Sequence, residues 1–178
     1  MKHTRCLGKK KKSFRCKMAE WKVMVAIDEN ENSYYALMWV LNNLKETLME
    51  APLYIFMAQP PAIDNLTFAA SLGSARIYSS VSSAPELAKS VKQNNQKLAL
   101  AYLEKAKGIC ASRGVNAEII TEIGDPKTAI CDVVQKLNIS MLIIGERGLG
   151  KIKRAIQGSV SSYCVQYAKC PVLVVKKT

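Results

Sequence analysis

From Trp21 onward the chain alternates short apolar runs with stretches whose apolar residues recur every three to four positions. Val23, Met24, Val25, Ala26 and Ile27 form the first run, between Lys22 and Asp28. A continuous run of this length, ending on an acid, predicts a strand buried on both faces. Ser33 is placed to cap a helix in which Ala36, Leu37, Val40, Leu41, Leu44 and Leu48 follow the helical period. Leu53 to Ala58, after Pro52, predicts a second strand. Pro85 opens a long helix with Leu87, Val91, Leu98, Tyr102, Ala106 and Ile109 on one side, and Gly114 closes it as C-cap. Val115 to Ile123 predicts the third strand. Gly124-Asp125-Pro126 then makes a turn and helix cap, and Ala129, Ile130, Val133, Val134 and Leu137 mark the next helix. Met141 to Ile144 predicts the fourth strand. Gly158-Ser159 opens a helix carrying Val160, Tyr163, Cys164 and Tyr167 at helical spacing, and Pro171 to Lys176 predicts the fifth strand.

Residues 60 to 84 break this pattern, with six serines, one glycine and only Asp64 and Arg76 charged. A long flexible loop is expected there, either a lid or a neutral insertion. The remaining order, β-α-β-loop-α-β-α-β-α-β, has crossovers long enough for parallel pairing. It predicts an α/β fold, an open doubly wound five-stranded parallel sheet with helices on both faces. Ligands of such sheets bind outside the carboxyl ends of the strands, at the switch point. Those ends carry Asp28, Ala58 and Gly145.

Charge changes the picture less than it first suggests. The 178 residues have a formal net charge of +12, but residues 1 to 17 hold eight of the 26 basic side chains and no acid. Residues 18 to 178 therefore carry 18 basic against 14 acidic side chains, or +4. Residues 1 to 19 read as a disordered basic tail ahead of a domain over residues 20 to 178. The tail is a nuclear localisation signal, a phosphate-binding arm, a solvated extension, or the product of a start codon placed ahead of Met18. It lacks the apolar segment of a secretory signal. No apolar run approaches the length of a membrane span, so a cytoplasmic or nuclear protein is expected.

The six cysteines, at 6, 16, 110, 131, 164 and 170, show no repeated spacing, and free thiols are the default. The one histidine, His3, lies in the tail. Ser-His-Asp catalysis, Cys-His catalysis and every histidine-containing zinc site are thereby removed from the folded part. No metal site and no catalytic residue is expected.

The strongest chemical signal is Gly145-Glu146-Arg147-Gly148, followed after nine residues by Gly158-Ser159-Val160-Ser161. Glycines let backbone approach a phosphate and adopt positive φ. A helix opening at Gly158-Ser159 presents unpaired N–H groups and the positive end of its dipole, with hydroxyls beside them. Singly, Gly148 and Gly150 could merely turn a loop and Ser159 merely cap a helix; together at a strand end they form an anion site. Gly145 with Gly150-Lys151 also satisfies GxxxxGK, but the next residue is Ile152. A P-loop needs a Ser or Thr hydroxyl there for Mg²⁺, so a Walker-type hydrolase or kinase is excluded.

At these residues the sequence resembles the ATP-binding branch of the universal stress protein family, whose signature is G-x2-G-x9-G-S/T. Gly145, Gly148, Gly158 and Ser159 match each spaced position. Val25-Ala26-Ile27-Asp28 with Ser33 and Ala36-Leu37 resembles the family's first strand and helix, Gly124-Asp125-Pro126 its third turn, and Cys170 to Val175 its last strand. The serine-rich loop is similar to that of plant single-domain members. The resemblance implies a Rossmann-like, adenine nucleotide alpha hydrolase-like sheet of order 3-2-1-4-5. It implies ATP or AMP, with or without Mg²⁺, as ligand: adenine near Ala58, ribose near Asp28 and Gly145, phosphates on Gly148, Gly158, Ser159, Val160 and Ser161. Ala26, Ile144 and Arg147 join this set through their places beside the same strand ends. Asp28 suits a ribose hydroxyl or a Mg²⁺ ion, and is otherwise an ordinary strand-end cap. A homodimer through Val172, Leu173, Val174 and Val175 is implied as well. Two residues depart from the pattern. Asn30 stands where Ser is frequent and Glu146 where a small residue is usual, and an inward-pointing Glu146 would oppose phosphate, offset by Arg147, Lys151, Lys153 and Arg154.

The resulting expectation is a nucleotide-binding stress-response regulator, without a membrane or nucleic-acid partner for the folded part. The alternatives are a slow ATPase or phosphotransferase using Asp28, and a nucleic-acid-associated or chaperone-like protein using the tail. Cys131, Cys164 and Cys170 fall on apolar helix faces or a helix end, where inert thiols are the norm.

Overall fold

Strand β1, Val23–Ala26, is buried along its whole length. It pairs in parallel with β2 (Leu53–Gln59) on one side and β4 (Met141–Gly145) on the other, Val25 standing opposite Ile55 and Ile143. Strand β3 (Ala117–Ile123) adds beyond β2 and β5 (Val172–Val175) beyond β4, both parallel. The order is β3-β2-β1-β4-β5, as expected. These relations come from a computed structural model that describes residues 21–49, 51–59, 85–146 and 158–177, with only the backbone at 85–88 and 91. The basic tail, the serine-rich segment 60–84, the side chains of Leu87 and Val91, and Arg147, Gly148, Gly150, Lys151, Lys153 and Arg154 lie outside the described residues.

The two-residue period of a strand divides the core between the sheet's faces. Val23 and Val25 turn toward Leu37, Val40, Leu41, Leu103 and Cys110, on helices α1 (Glu31–Asn43) and α3 (Pro85–Ser112). Met24 and Ala26 turn the other way, toward Ile130, Val133, Val134 and Cys164, on α4 (Pro126–Lys136) and α5 (Ser159–Tyr167). Each fully buried Leu or Val in these layers is worth about 1.5–3 kcal/mol over its exposed form. Helices on both faces make the sheet doubly wound, which a run of apolar residues without alternation requires.

Three local readings are corrected. Ser33 is not the cap of α1. Asn30 is: its side chain accepts from the Asn32 N–H, and Ser33 lies inside the first turn. Asn30 and Ser33 are both good capping residues, and strand end β1 leaves the chain extended at Asn30. The first helix also does not run continuously to Leu48. It breaks at Leu44, and Leu48 reaches the core from a separate turn, α2 (Lys45–Leu48).

Finally, the buried face of α3 differs in part from the expected one: Ala106 is buried and Ile109 packs on the core as expected, but Leu98 and Tyr102 do not. Ala99, Leu103, Ala106 and Cys110 face the sheet, while Leu98 and Tyr102 are 46% and 40% exposed. Small residues at 99 and 106 let the helix axis approach the strands, which Leu98 and Tyr102 would hold away. The end of α3 is as expected. Gly114 has φ +75°, and the N–H groups of Gly114 and Val115 donate to the carbonyls of Ala111 and Cys110 in a Schellman pair. Asp125 caps α4, with Pro126 at its first position.

Candidate functional site

The strand order reverses direction between β1 and β4, and their carboxyl ends open into a cleft of about 500 Å³. Ala26 and Asp28 enter it from β1 and its end, Ala58 from β2, and Ile144 and Gly145 from β4. Gly158, Ser159, Val160 and Ser161 enter from the start of α5. Nine of the eleven residues predicted from sequence thus line one cavity; Arg147 and Gly148 lie outside the described residues. The volume falls within the range of about 300–1,000 Å³ typical of small-molecule sites.

The strand-to-helix turn that carries Asp28 is held by one buried hydroxyl. Ser33 Oγ accepts from the Asp28 N–H at 3.0 Å and lies 2.8 Å from the Asn30 carbonyl and 3.1 Å from that of Asp28. The Asp28 carboxylate accepts from the Asn30 N–H at 3.0 Å. Asp28 therefore does not cap α1, and it stays exposed at the cleft, with Glu29 beside it.

Gly145 has a steric reason that its sequence context did not show. A Cβ built there would lie 2.8 Å from the Ser33 backbone nitrogen and closer still to the Asn32 carbonyl. The first turn of α1 packs directly on the end of β4, and only glycine leaves room. Among the described residues, positive φ occurs in one glycine, Gly114; neither Gly145 nor Gly158 uses it. Close approach, not an unusual dihedral, explains Gly145.

At the other wall, Gly158 is the N-cap of α5 with φ −51° and ψ 141°, and it offers no side-chain cap. The Ser162 N–H closes the first turn on the Gly158 carbonyl at 2.9 Å, and the buried Ser161 hydroxyl donates to the same carbonyl at 2.8 Å. Ser161 therefore offers the cleft its N–H and not its hydroxyl proton. The first-turn N–H groups have no intrahelical acceptor, and the residues that carry them line the cavity, Ser159 among them exposed. An anion is the complement of that end.

The cavity also has apolar lining, from Phe56, Met57, Pro126 and Ile130. Sequence reading assigned these residues to strand, cap and core alone. Their signal was position: Phe56 and Met57 stand just before a strand's carboxyl end, and Pro126 and Ile130 in the first turns of a helix that starts at the same sheet edge. Glu146 does not line the cleft. Its N–H donates to the Val175 carbonyl at 2.8 Å and its carboxylate lies 3.6 Å from Lys176 Nζ.

Behind the α4–α5 wall, Cys131, Cys164 and Cys170 pack into the second core layer. Burial pushes the Cys164 thiol up to about 12 and that of Cys110, on the buried side of α3, up to about 11; burial raises Cys131 and Cys170 as well. Thiolate is the reactive form, so these groups are quiet. In native protein at pH 7.5, Cys110 and Cys164 should react with a maleimide at least ~100-fold more slowly than a free thiol, and at the free rate in denaturant. Rapid native labelling of either, read by peptide mass spectrometry, would show that its helix opens.

Known proteins resemble this chain in sequence and fold. The model described as "Universal stress protein family" matches residues 21–176. The Universal stress protein A-like protein of Arabidopsis thaliana is 36% identical over 98 residues, which span 55% of this chain and 56% of that relative. Universal stress protein YxiE of Bacillus subtilis is 32% identical over 155 residues, 87% of this chain and 98% of the other. A crystal structure of a universal stress protein family protein from Arabidopsis thaliana with AMP bound superposes with a TM-score of 0.61 at 27% identity, covering 89% of this chain and 92% of that one. On a match that takes in the whole sheet, both walls of the cleft and the glycine signature, the chain belongs to the universal stress protein family.

Proposed function

We propose that this chain binds an adenine nucleotide, ATP or AMP, in the cleft between β1 and β4 and acts as a stress-response regulator whose dimerisation or partner binding follows nucleotide state. The observation that carries the reading is the polarity of the cleft. A helix N-terminus without a side-chain cap at Gly158 to Ser161, the apolar side chains of Phe56, Met57, Pro126 and Ile130, and the Asp28 carboxylate all line one cavity. A nucleotide carries the complementary groups: an apolar base, ribose hydroxyls and phosphates. The base would lie against the apolar lining and the Ala58 backbone, and the ribose against Asp28, Ala26, Ile144 and Gly145. The phosphates would lie on the N–H groups of Ser159, Val160 and Ser161, with Arg147 and Gly148 in the same set. The 27%-identical relative with AMP bound supports this assignment. Where Mg²⁺ accompanies the phosphates, Asp28 is the carboxylate suited to hold it, as Mg²⁺ prefers one or two carboxylates plus phosphate oxygens.

The role is binding rather than turnover. Among the described residues, the cleft's lining contains no histidine, cysteine or lysine to act as base or nucleophile. Protein purified under native conditions and then denatured should release ATP or AMP, identified by mass spectrometry. An empty protein that also ignores millimolar Mg-ATP would sink the reading.

We place the chain in the cytoplasm or nucleus; no helix among the described residues is long and apolar enough to cross a membrane. We also assign the dimer contact to the free side of β5. That strand pairs only with β4 among the described residues, and Val172, Leu173 and Val174 are half-buried. An apolar sheet edge favours pairing with a second strand. Val174→Lys should shift the chain from dimer to monomer in sedimentation velocity, weakening association about tenfold or more, as a charge on an edge strand blocks pairing. An unchanged dimer would move the contact elsewhere.

A further inference from the structure

We infer that Lys176 is a positioning residue for the anion end of the cleft, holding the Glu146 carboxylate on the β5 side of the sheet and away from a bound phosphate. The inference rests on the nucleotide reading above and names a control on its affinity. Glu146 follows Gly145 directly, one peptide step of about 3.8 Å from a residue that lines the cleft. A negative side chain so placed opposes any phosphate bound at the start of α5.

Two contacts turn it aside. The Glu146 N–H donates to the Val175 carbonyl at 2.8 Å, which fixes the backbone against β5. The carboxylate then meets Lys176 Nζ at 3.6 Å. The Glu146 side chain is 22% exposed against 73% for Lys176, so a solvent-held cation covers a half-buried acid. The neighbouring Lys177 is committed elsewhere, 3.3 Å from Glu31 at the start of α1. Of these two C-terminal lysines, Lys176 is therefore the one that serves Glu146.

An exposed ion pair of this kind adds little to folding. Its effect falls on the ligand, because the carboxylate released by losing Lys176 is tethered one residue from the cleft. The effect must grow with ligand charge and shrink with salt, since it is Coulombic.

The test measures the affinity of adenosine, AMP and ATP for the full chain and for K176A, K176R, E146Q and K176A/E146Q, by calorimetry at about 50 and 300 mM salt. K176A should weaken AMP and ATP about two- to tenfold at low salt, ATP the more, with adenosine unchanged. K176R should bind as the parent does. In the E146Q background, removing Lys176 should have no further effect, a coupling that only a shared interaction produces. An equal loss in both backgrounds would show that the lysine attracts phosphate directly, and an equal loss for adenosine would show a general structural role; either overturns the inference, as does an unchanged K176A. A parent chain that binds none of the three ligands overturns the nucleotide reading instead, and this inference with it.

Discussion

Gly158→Asp should weaken nucleotide binding about 30- to 150-fold while leaving helix α5 folded. Position 158 is the N-cap, with the extended φ of −51° and ψ of 141° that any residue adopts there. Aspartate is among the best N-cap residues, and its carboxylate would accept from the first-turn N–H groups that glycine leaves uncapped. The helix gains a cap, and the cleft loses its anion site to an anion of the protein's own. Competition for the same donors, together with repulsion between one carboxylate and a phosphate about 5 Å away, amounts to about 2–3 kcal/mol. That corresponds to a loss of about 30- to 150-fold in affinity. Calorimetry with AMP and ATP reads the loss, and a far-ultraviolet circular dichroism spectrum matching the parent's shows that it is not unfolding. A variant that still binds within threefold of the parent would place the phosphates elsewhere. Released nucleotide present in the parent and absent from this variant ties the ligand to α5.

Gly145→Ala should cost stability, and for a different reason. The added Cβ meets the backbone of Asn32 and Ser33, and backbone cannot rotate out of the way as a side chain can. Relief requires the first turn of α1 to lift from the end of β4. That turn is tied to β1 by the Ser33 hydroxyl, so the lift strains the Asp28 N–H bond as well. Overpacking of this kind costs about 1–3 kcal/mol. A domain of this size loses roughly 2–4 °C per kcal/mol, so a fall of about 3–10 °C in melting temperature is expected.

Gly108→Ala is the control with the opposite sign. Gly108 lies within α3, exposed, and a Cβ there meets nothing within 4 Å. Alanine in that helix should raise stability by up to about 1 kcal/mol. Equal effects at the two glycines would mean that helix α1 yields freely and that Gly145 is kept for another reason.

Strands β1 and β4 were legible because burial on both faces leaves no polar positions to blur them. Val23 to Ile27 and Met141 to Ile144 read as strands from composition alone, and both lie at the centre of the sheet. The Schellman end of α3 was legible from Gly114, and the start of α4 from Asp125-Pro126, because those signals act within one turn of the chain. The face of α3 was not. Leu98 and Ala99 are neighbours on the helix, and choosing between stripes 98–102 and 99–103 depends on how near the sheet lets the helix come. The cap of α1 was misread for a related reason: Asn30 and Ser33 are equally able, and the path of the chain out of β1 decides between them.

Nine site residues were named from the sequence and line one cleft, yet the apolar lining of that cleft was missed. Glycines, a serine pair and a strand-end acid are rare enough to announce a site. Phe56, Met57 and Ile130 look like any core residues, and nothing local says that their side chains border a cavity. The direction of Glu146 was equally hidden, since it depends on Lys176, which stands 30 residues later and meets it only because β5 adds beside β4.

What the sequence by itself determined was therefore the set of elements, their alternation, and the glycine-serine start of a helix that follows a strand end. These are properties of single residues and of spacings within a few turns. The tertiary structure decided which stripe of α3 is core, why Gly145 tolerates no side chain, which apolar residues line the cleft, and which cation answers Glu146. Each of those depends on steric fit or charge between segments far apart in the chain, and local periodicity carries no record of such contacts.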